Sequence, residues 1–173
     1  MKILYAYDFD GTMIPYDSFR LYLWHLLKFR PMSISLLLAL RKLRLISAAG
    51  LKENVSRIVG RSDTLQRATK RFAKRLVYDV VMPKYAPNDG VVLIVSASPK
   101  IYMHYVAEAL GCELISSDYV DERYVEMFGE QKAETLKERY PKMEYEWAYA
   151  CSDSVSDICW MQEFKKHYLI DRR

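Results

Sequence analysis

At 173 residues, with 51% hydrophobic and 28% charged residues, the chain can bury one core with room for an insertion, and its composition is that of an ordinary globular protein and excludes a disordered one. The 26 Lys and Arg against 22 Asp and Glu leave a formal charge of +4, too mild to point to nucleic acid but tolerant of an anionic substrate. Three cysteines, Cys112, Cys151 and Cys159, form no C-x-x-C pair, which argues against a disulfide framework and against a zinc site.

The N-terminus opens directly into a strand pattern without the basic, apolar and small-residue order of a secretory signal, so a cytoplasmic protein is expected. The run KILYAYDF, Lys2 to Phe9, reads as a buried strand ended by a glycine. From Asp17 the period changes. Asp17 and Ser18 are N-cap types, and Phe19, Tyr22, Leu23, Leu26 and Leu27 recur at helical spacing. A second helix is predicted from about Met32 to Leu45, a third from Ser47 to Val59 with Gly60 ending it, and a fourth capped by Ser62 or Asp63 and reaching about Val80. Within the second, PMSISLLLAL is ten uncharged residues long, about half of the ~20 a membrane span requires, and reads as a buried or amphipathic helix rather than a membrane contact.

After PKYAPNDG, a loop by composition, VVLIVSAS (Val91 to Ser98) is a β-branched run suited to a strand covered on both faces. Pro99 opens a helix that Gly111 closes. CELIS is a third strand, EQKAETLKER a helix stopped by Pro141, YEWAYAC a fourth strand, SVSDICWMQEF a helix and HYLI a last strand. Strands alternating with helices predict an α/β fold with a parallel sheet and right-handed crossovers. Its core is discontinuous, residues 1–15 plus 81–173, with residues 16–80 an all-helical insertion after the first strand. In such sheets ligands bind beyond the carboxyl ends of the strands, where this insertion also departs.

Polar residues collect at those strand ends. The first strand runs into Asp8-x-Asp10-Gly11-Thr12, the second into Ser96 and Ala97, and the fourth into Ser152-Asp153-Ser154-x-x-Asp157, while Lys132 opens the preceding helix. Carboxylates gathered this closely raise one another's pKa, a conflict that a divalent cation relieves. Oxygen donors without His or Cys favour Mg²⁺. Taken singly each residue has a structural explanation: Asp8 and Asp10 a turn, Ser96 a helix-entry cap, Lys132 a solvated side chain, Asp153 and Asp157 a cap and a first-turn acid.

In this order the four motifs resemble those of the haloacid dehalogenase superfamily, and the helical insertion resembles its C1 cap. The resemblance implies a Rossmann-like parallel sheet core with helices on both faces and an inserted helical cap. It implies a phosphatase in which Asp8 attacks phosphorus, Asp10 protonates the leaving oxygen and later activates water, and Ser96, Ala97 and Lys132 bind the phosphoryl group. Asp8, Asp153 and the Asp10 carbonyl would hold Mg²⁺, with Asp157 orienting a metal water or Lys132. Ser152 stands where the family usually has Gly.

The second acid, Asp10, separates the superfamily's phosphatases from its dehalogenases. The cap position resembles the branch that includes phosphoserine phosphatase, in which an acidic residue near the position of Asp17 reads the substrate; a small phosphorylated substrate is therefore expected, with nucleic acid excluded. DSFRLYLWHLLKFRPMSISLLLAL, SASP and the S-D-S motif are also similar to phosphatidylglycerophosphate phosphatases of type C, an alternative in which a lipid head group is presented at a membrane surface. A non-catalytic phosphate-binding module is the reading from another class, and the intact acids and Lys132 weigh against it.

Overall fold

The computed structural model describes residues 1–81 and 90–171. The loop read in PKYAPNDG lies, apart from Gly90, outside the described residues. Among the described residues six strands form one sheet in the order β4-β3-β2-β1-β5-β6. β1 (Lys2–Tyr7), β2 (Val91–Pro99), β3 (Glu113–Val120), β5 (Tyr145–Ser152) and β6 (Lys166–Leu169) run parallel, and β4 (Arg123–Val125) runs antiparallel to β3.

Strand periodicity explains the two cores. Leu4, Ala6, Leu93 and Val95 pack with Trp147, Trp160, Phe164 and Leu136 on one face. Tyr7 and Ile94 pack with Tyr102, Met103 and Val106 on the other. The second face is covered by α5 (Lys100–Leu110), closed by Gly111 at φ +66°, and the first by α6 (Glu130–Arg139) and α7 (Ile158–Met161). Between β1 and β5 the chain direction switches sides of the sheet, leaving a crevice at their carboxyl ends.

Among the described residues four helices stand between β1 and β2: α1 (Ser18–Leu27), α2 (Pro31–Lys42), α3 (Ala48–Gly60) and α4 (Asp63–Tyr78). Asp17 accepts from the Arg20 N–H at 2.9 Å and Ser47 from the Gly50 N–H at 2.9 Å, satisfying helix N-termini as expected of these residue types. α4 buries Leu65, Ala68, Thr69, Phe72, Ala73 and Leu76 along one stripe. The rings of Tyr22, Phe72 and Tyr102 meet at centroid distances of 5.0, 4.7 and 5.6 Å, so α1, α4 and α5 share one apolar cluster.

Three elements depart from the sequence expectations. β3 continues past Ser116 and turns back into β4 through Asp121 and Glu122, both left-handed at φ 46° and 65°. No glycine marks that hairpin, so its turn chemistry was silent. The last helix begins with a 3₁₀ turn at Val155–Asp157 and keeps only four α residues. α2 ends at Lys42, and Arg44 at φ 59° turns the chain before Leu45. Among the described residues no helix is long and apolar enough to cross a membrane.

Candidate active site

β1 leaves the ladder after Tyr7, whose register partners are Ile94 on β2 and Cys151 on β5. The next residue on each strand end is therefore brought to one edge. The Asp8 N–H still donates to the Cys151 carbonyl at 2.9 Å; then the Phe9 carbonyl accepts from Thr12, Met13 and Ile14, forming a tight turn. Gly11 at its apex has φ +82°, and a Cβ there would fall 1.9 Å from Asp153 Oδ2. The turn thus depends on glycine both for its backbone and for the space the Asp153 carboxylate occupies. Thr12 Oγ1 accepts from the Asp153 N–H at 3.1 Å, tying the two loops together.

Beneath them lies a buried charge chain. Lys132 Nζ donates to Asp8 Oδ1 and Asp157 Oδ2, each at 2.8 Å, and Asp157 Oδ2 also accepts from Ser152 Oγ at 2.7 Å. Asp8 is 7% exposed, Lys132 2% and Asp157 1%. Lys132 sits in the first turn of α6 with its ammonium 5.9 Å from the Trp160 ring centroid. Burial alone would drive the Lys132 ammonium toward its neutral form, but Asp8 and Asp157 outweigh it and hold the pKa above the ordinary lysine value. Burial pushes the Asp8 carboxyl up to about 7, with Lys132 pulling it down and Asp157 adding to the rise. One ammonium between two carboxylates leaves a negative charge over, and among the described residues Asp157 Oδ1 is buried without a hydrogen-bond partner. Ser152, where the resemblance led to an expected Gly, uses its hydroxyl on Asp157 and accepts from the Ser154 N–H at 3.1 Å.

Asp10 is held differently. Its Oδ1 accepts from the Ser18 N–H at 2.6 Å and its Oδ2 from the Ser98 hydroxyl. Ser18 Oγ in turn meets the Tyr102 hydroxyl at 2.8 Å. Burial raises the Asp10 pKa above the ordinary carboxylate value, and the bonds from Ser18 and Ser98 oppose the rise. The carboxylate is therefore fixed from the helical insertion on one side and the β2–α5 junction on the other.

A cleft of about 360 Å³ opens above, lined by Asp10, Gly11, Tyr16, Asp17, Phe19, Lys52, Ala97, Ser98 and Asp153. Of the residues expected from the sequence, Asp10, Ala97, Asp153 and Asp17 line it, Asp17 while also capping α1. Ser96 is 1% exposed, and its hydroxyl accepts from the Ser98 N–H at 3.1 Å, shaping the loop from below. Ser18, Ser98 and Lys52 were not anticipated as site residues. Ser98 follows Ser96 at the two-residue spacing of a strand, a signal that could have found it. Lys52 reaches from α3 to the Ala97 carbonyl at 2.8 Å and to Glu126, a contact no local pattern encodes.

Among the described residues no three His, Cys, Asp or Glu side chains form a metal-ligand cluster. The Asp10 carboxylate is committed to Ser18 and Ser98, so the acids able to meet a cation at this edge are Asp8 and Asp153. That smaller, all-oxygen set with uncompensated negative charge fits Mg²⁺, which retains waters and takes one or two carboxylates alongside phosphate oxygens.

The family model of haloacid dehalogenase-like hydrolases matches residues 6–162. No curated protein matches the sequence. Among solved structures, a protein of unknown function from Bordetella pertussis Tohama I is similar at 19% identity and a TM-score of 0.66, covering 98% of this chain and 90% of its own. A phosphoserine phosphatase, solved as a phospho-aspartyl intermediate analogue, is similar at 15% identity and a TM-score of 0.54, with 97% and 86% covered. A phosphoserine phosphohydrolase-like protein from Francisella tularensis subsp. tularensis SCHU S4 gives 16%, 0.52, 98% and 87%. At these identities the structural likeness establishes the fold.

Proposed function

The chain belongs to the haloacid dehalogenase-like hydrolases, and from that premise we propose that it is a Mg²⁺-dependent phosphatase of small phosphomonoesters. The observation that carries the reading is the buried Asp8–Lys132–Asp157 chain two residues from an acid held by two donors of its own. Asp8 is the nucleophile: one of its oxygens bonds to phosphorus as the ester P–O bond breaks, giving an aspartyl-phosphate. Asp10 gives its proton to the departing alcohol oxygen. In the second step it takes a proton from water, which attacks phosphorus, releases phosphate and restores the Asp8 carboxylate. The raised pKa of Asp10 suits a residue that must begin protonated.

Lys132 balances charge on Asp8 and on the phosphoryl oxygens. The Ala97 N–H and the start of α5, which has no side-chain cap, are suited to binding those oxygens, with Ser96, whose hydroxyl takes the Ser98 N–H, shaping the loop that presents them. Asp8, Asp153 and the Asp10 backbone carbonyl would hold Mg²⁺, with Asp157 orienting its waters. Bound there, the cation supplies positive charge that offsets repulsion between the Asp8 anion and the phosphate. We read residues 16–80 as a cap over the cleft and Asp17 as its substrate-reading residue.

Turnover of p-nitrophenyl phosphate with and without Mg²⁺ tests the class, and a panel of phosphoserine, sugar phosphates, pyridoxal phosphate and dispersed phospholipid tests the substrate. Asp8→Asn is expected to abolish turnover by several orders of magnitude. Near-native turnover by that variant would refute the covalent mechanism, and preference for the phospholipid would replace the small-substrate reading.

A further inference from the structure

The sequence led us to expect α2 to be buried or amphipathic, and it is neither. Ile34 and Leu37 face the bundle. On the opposite side Met32, Leu36 and Leu43 are 86%, 60% and 68% exposed. Their spacing of i, i+4 and i+11 brings them within an arc of roughly 60° on a helix of 3.6 residues per turn. α2 packs chiefly on α1 and α3. Among the described residues nothing covers that outer side, so the helix is apolar on both sides with one side in water.

Charge identifies what covers it. From Ser18 to Leu51 the chain has six Lys and Arg and no Asp or Glu, whereas the remaining residues carry fewer Lys and Arg than Asp and Glu. Lys42 closes α2 and Arg44 follows it, on either side of Leu43, while Arg41 falls on the Ile34 side of the helix. A second copy of this chain seated on the same stripe would bring Lys42 and Arg44 against their own kind. An anionic surface would instead meet both, with apolar stems and the Met-Leu stripe entering the interface and the charged ends staying at head-group level.

We infer that the outer face of α2 docks on an anionic lipid bilayer, with the helix lying in the plane of the interface. At twelve residues it is too short to span. The contact does not depend on the phosphatase reading.

Flotation with phosphatidylcholine vesicles, with and without phosphatidylglycerol, tests the inference on the full chain at low and high salt. Binding is expected only to the phosphatidylglycerol vesicles and is expected to weaken with salt. The variant M32S/L36S/L43S, altered only at exposed positions, should bind about tenfold or more weakly. K42Q/R44Q, which leaves the apolar stripe intact, should lose about twenty-five-fold, at roughly fivefold per cation. D8N should bind as the parent does, so a failed phosphatase assay leaves this result standing. Three outcomes would overturn the inference: no binding to either vesicle by folded protein, equal binding to both, or self-association without lipid that the serine variant abolishes. The last would make the face an interface between copies.

Discussion

Replacing Asp8 with Asn is expected to stabilise the metal-free protein while it removes activity. Burial raises the Asp8 carboxyl from 3.8 to about 7 even though Lys132 opposes the rise. Between those values the folded chain holds a proton that the unfolded chain has released, so stability falls as pH rises from about 4 to about 7 and is level above that window. The difference amounts to about 4 kcal/mol at 1.36 kcal/mol per pH unit. Asn resembles the protonated acid in shape, still accepts from Lys132 and does not titrate. Urea unfolding in chelator should therefore show the Asn variant ahead by about 1 kcal/mol near pH 4.5 and by about 4 kcal/mol at pH 8. Added Mg²⁺ should stabilise the parent at pH 8, by binding the folded anion, and the variant far less. A gap that stays constant or narrows as pH rises would show that Asp8 is not an under-compensated buried acid.

Three further expectations follow from the same geometry. Asp10→Asn should slow turnover by about two to four orders of magnitude yet keep most Mg²⁺-linked stabilisation, whereas Asp153→Asn should lose that stabilisation; equal loss in both would contradict the division of roles. Gly11→Ala should cost about 1–3 kcal/mol for the left-handed backbone and displace Asp153, read as lower thermal stability with a diminished Mg²⁺ response. His25, half-buried with Nε2 3.1 Å from the Ala68 carbonyl, has its pKa lowered by burial, with Lys28, Arg75 and Arg71 adding to the fall. Its contribution is present above pH 6.5 and lost as pH falls below it, so the parent should weaken relative to His25→Gln in urea titrations on acidification, and a parallel decline of both would refute it.

Much of this architecture is legible in the sequence because it rests on local signals. The period changes at Asp17 and Val91, the Ser47 and Ser62 caps, and Pro99 and Gly111 at the ends of α5 set element limits without reference to the rest of the chain. Asp8, Lys132 and Asp157 were placed at one edge by topology, and they meet there. What escaped reading depends on contacts across the fold. Ser18 and Ser98 hold Asp10 from 8 and 88 residues away, and Lys52 reaches Ala97 over 45. The β3–β4 hairpin turns on two acidic residues that adopt left-handed backbone only because the strands on either side pair. The outer side of α2 carries the composition of a core stripe, and only the packing of its neighbours leaves it in water.

The clamp on Asp10 bears on how the helical insertion and the sheet act together. On the proposed mechanism Asp10 must be aimed as a proton donor, and its carboxylate is held by a backbone N–H of α1 and a hydroxyl at the end of β2, elements from the two parts of the chain. Ser18 also joins Tyr102, whose ring packs on Tyr22 and Phe72, so movement of α1 away from α5 would open an apolar cluster as well as release Asp10. Local adjustment of the loop around Tyr16 and of the Lys52 side chain disturbs neither contact, whereas rigid-body opening of the four helices disturbs both. Entry of substrate by the first route keeps the acid oriented before binding, and entry by the second couples orientation of Asp10 to closure. The buried rings of Tyr22, Phe72 and Tyr102 favour the first, because separating them exposes apolar area that the loop route leaves covered.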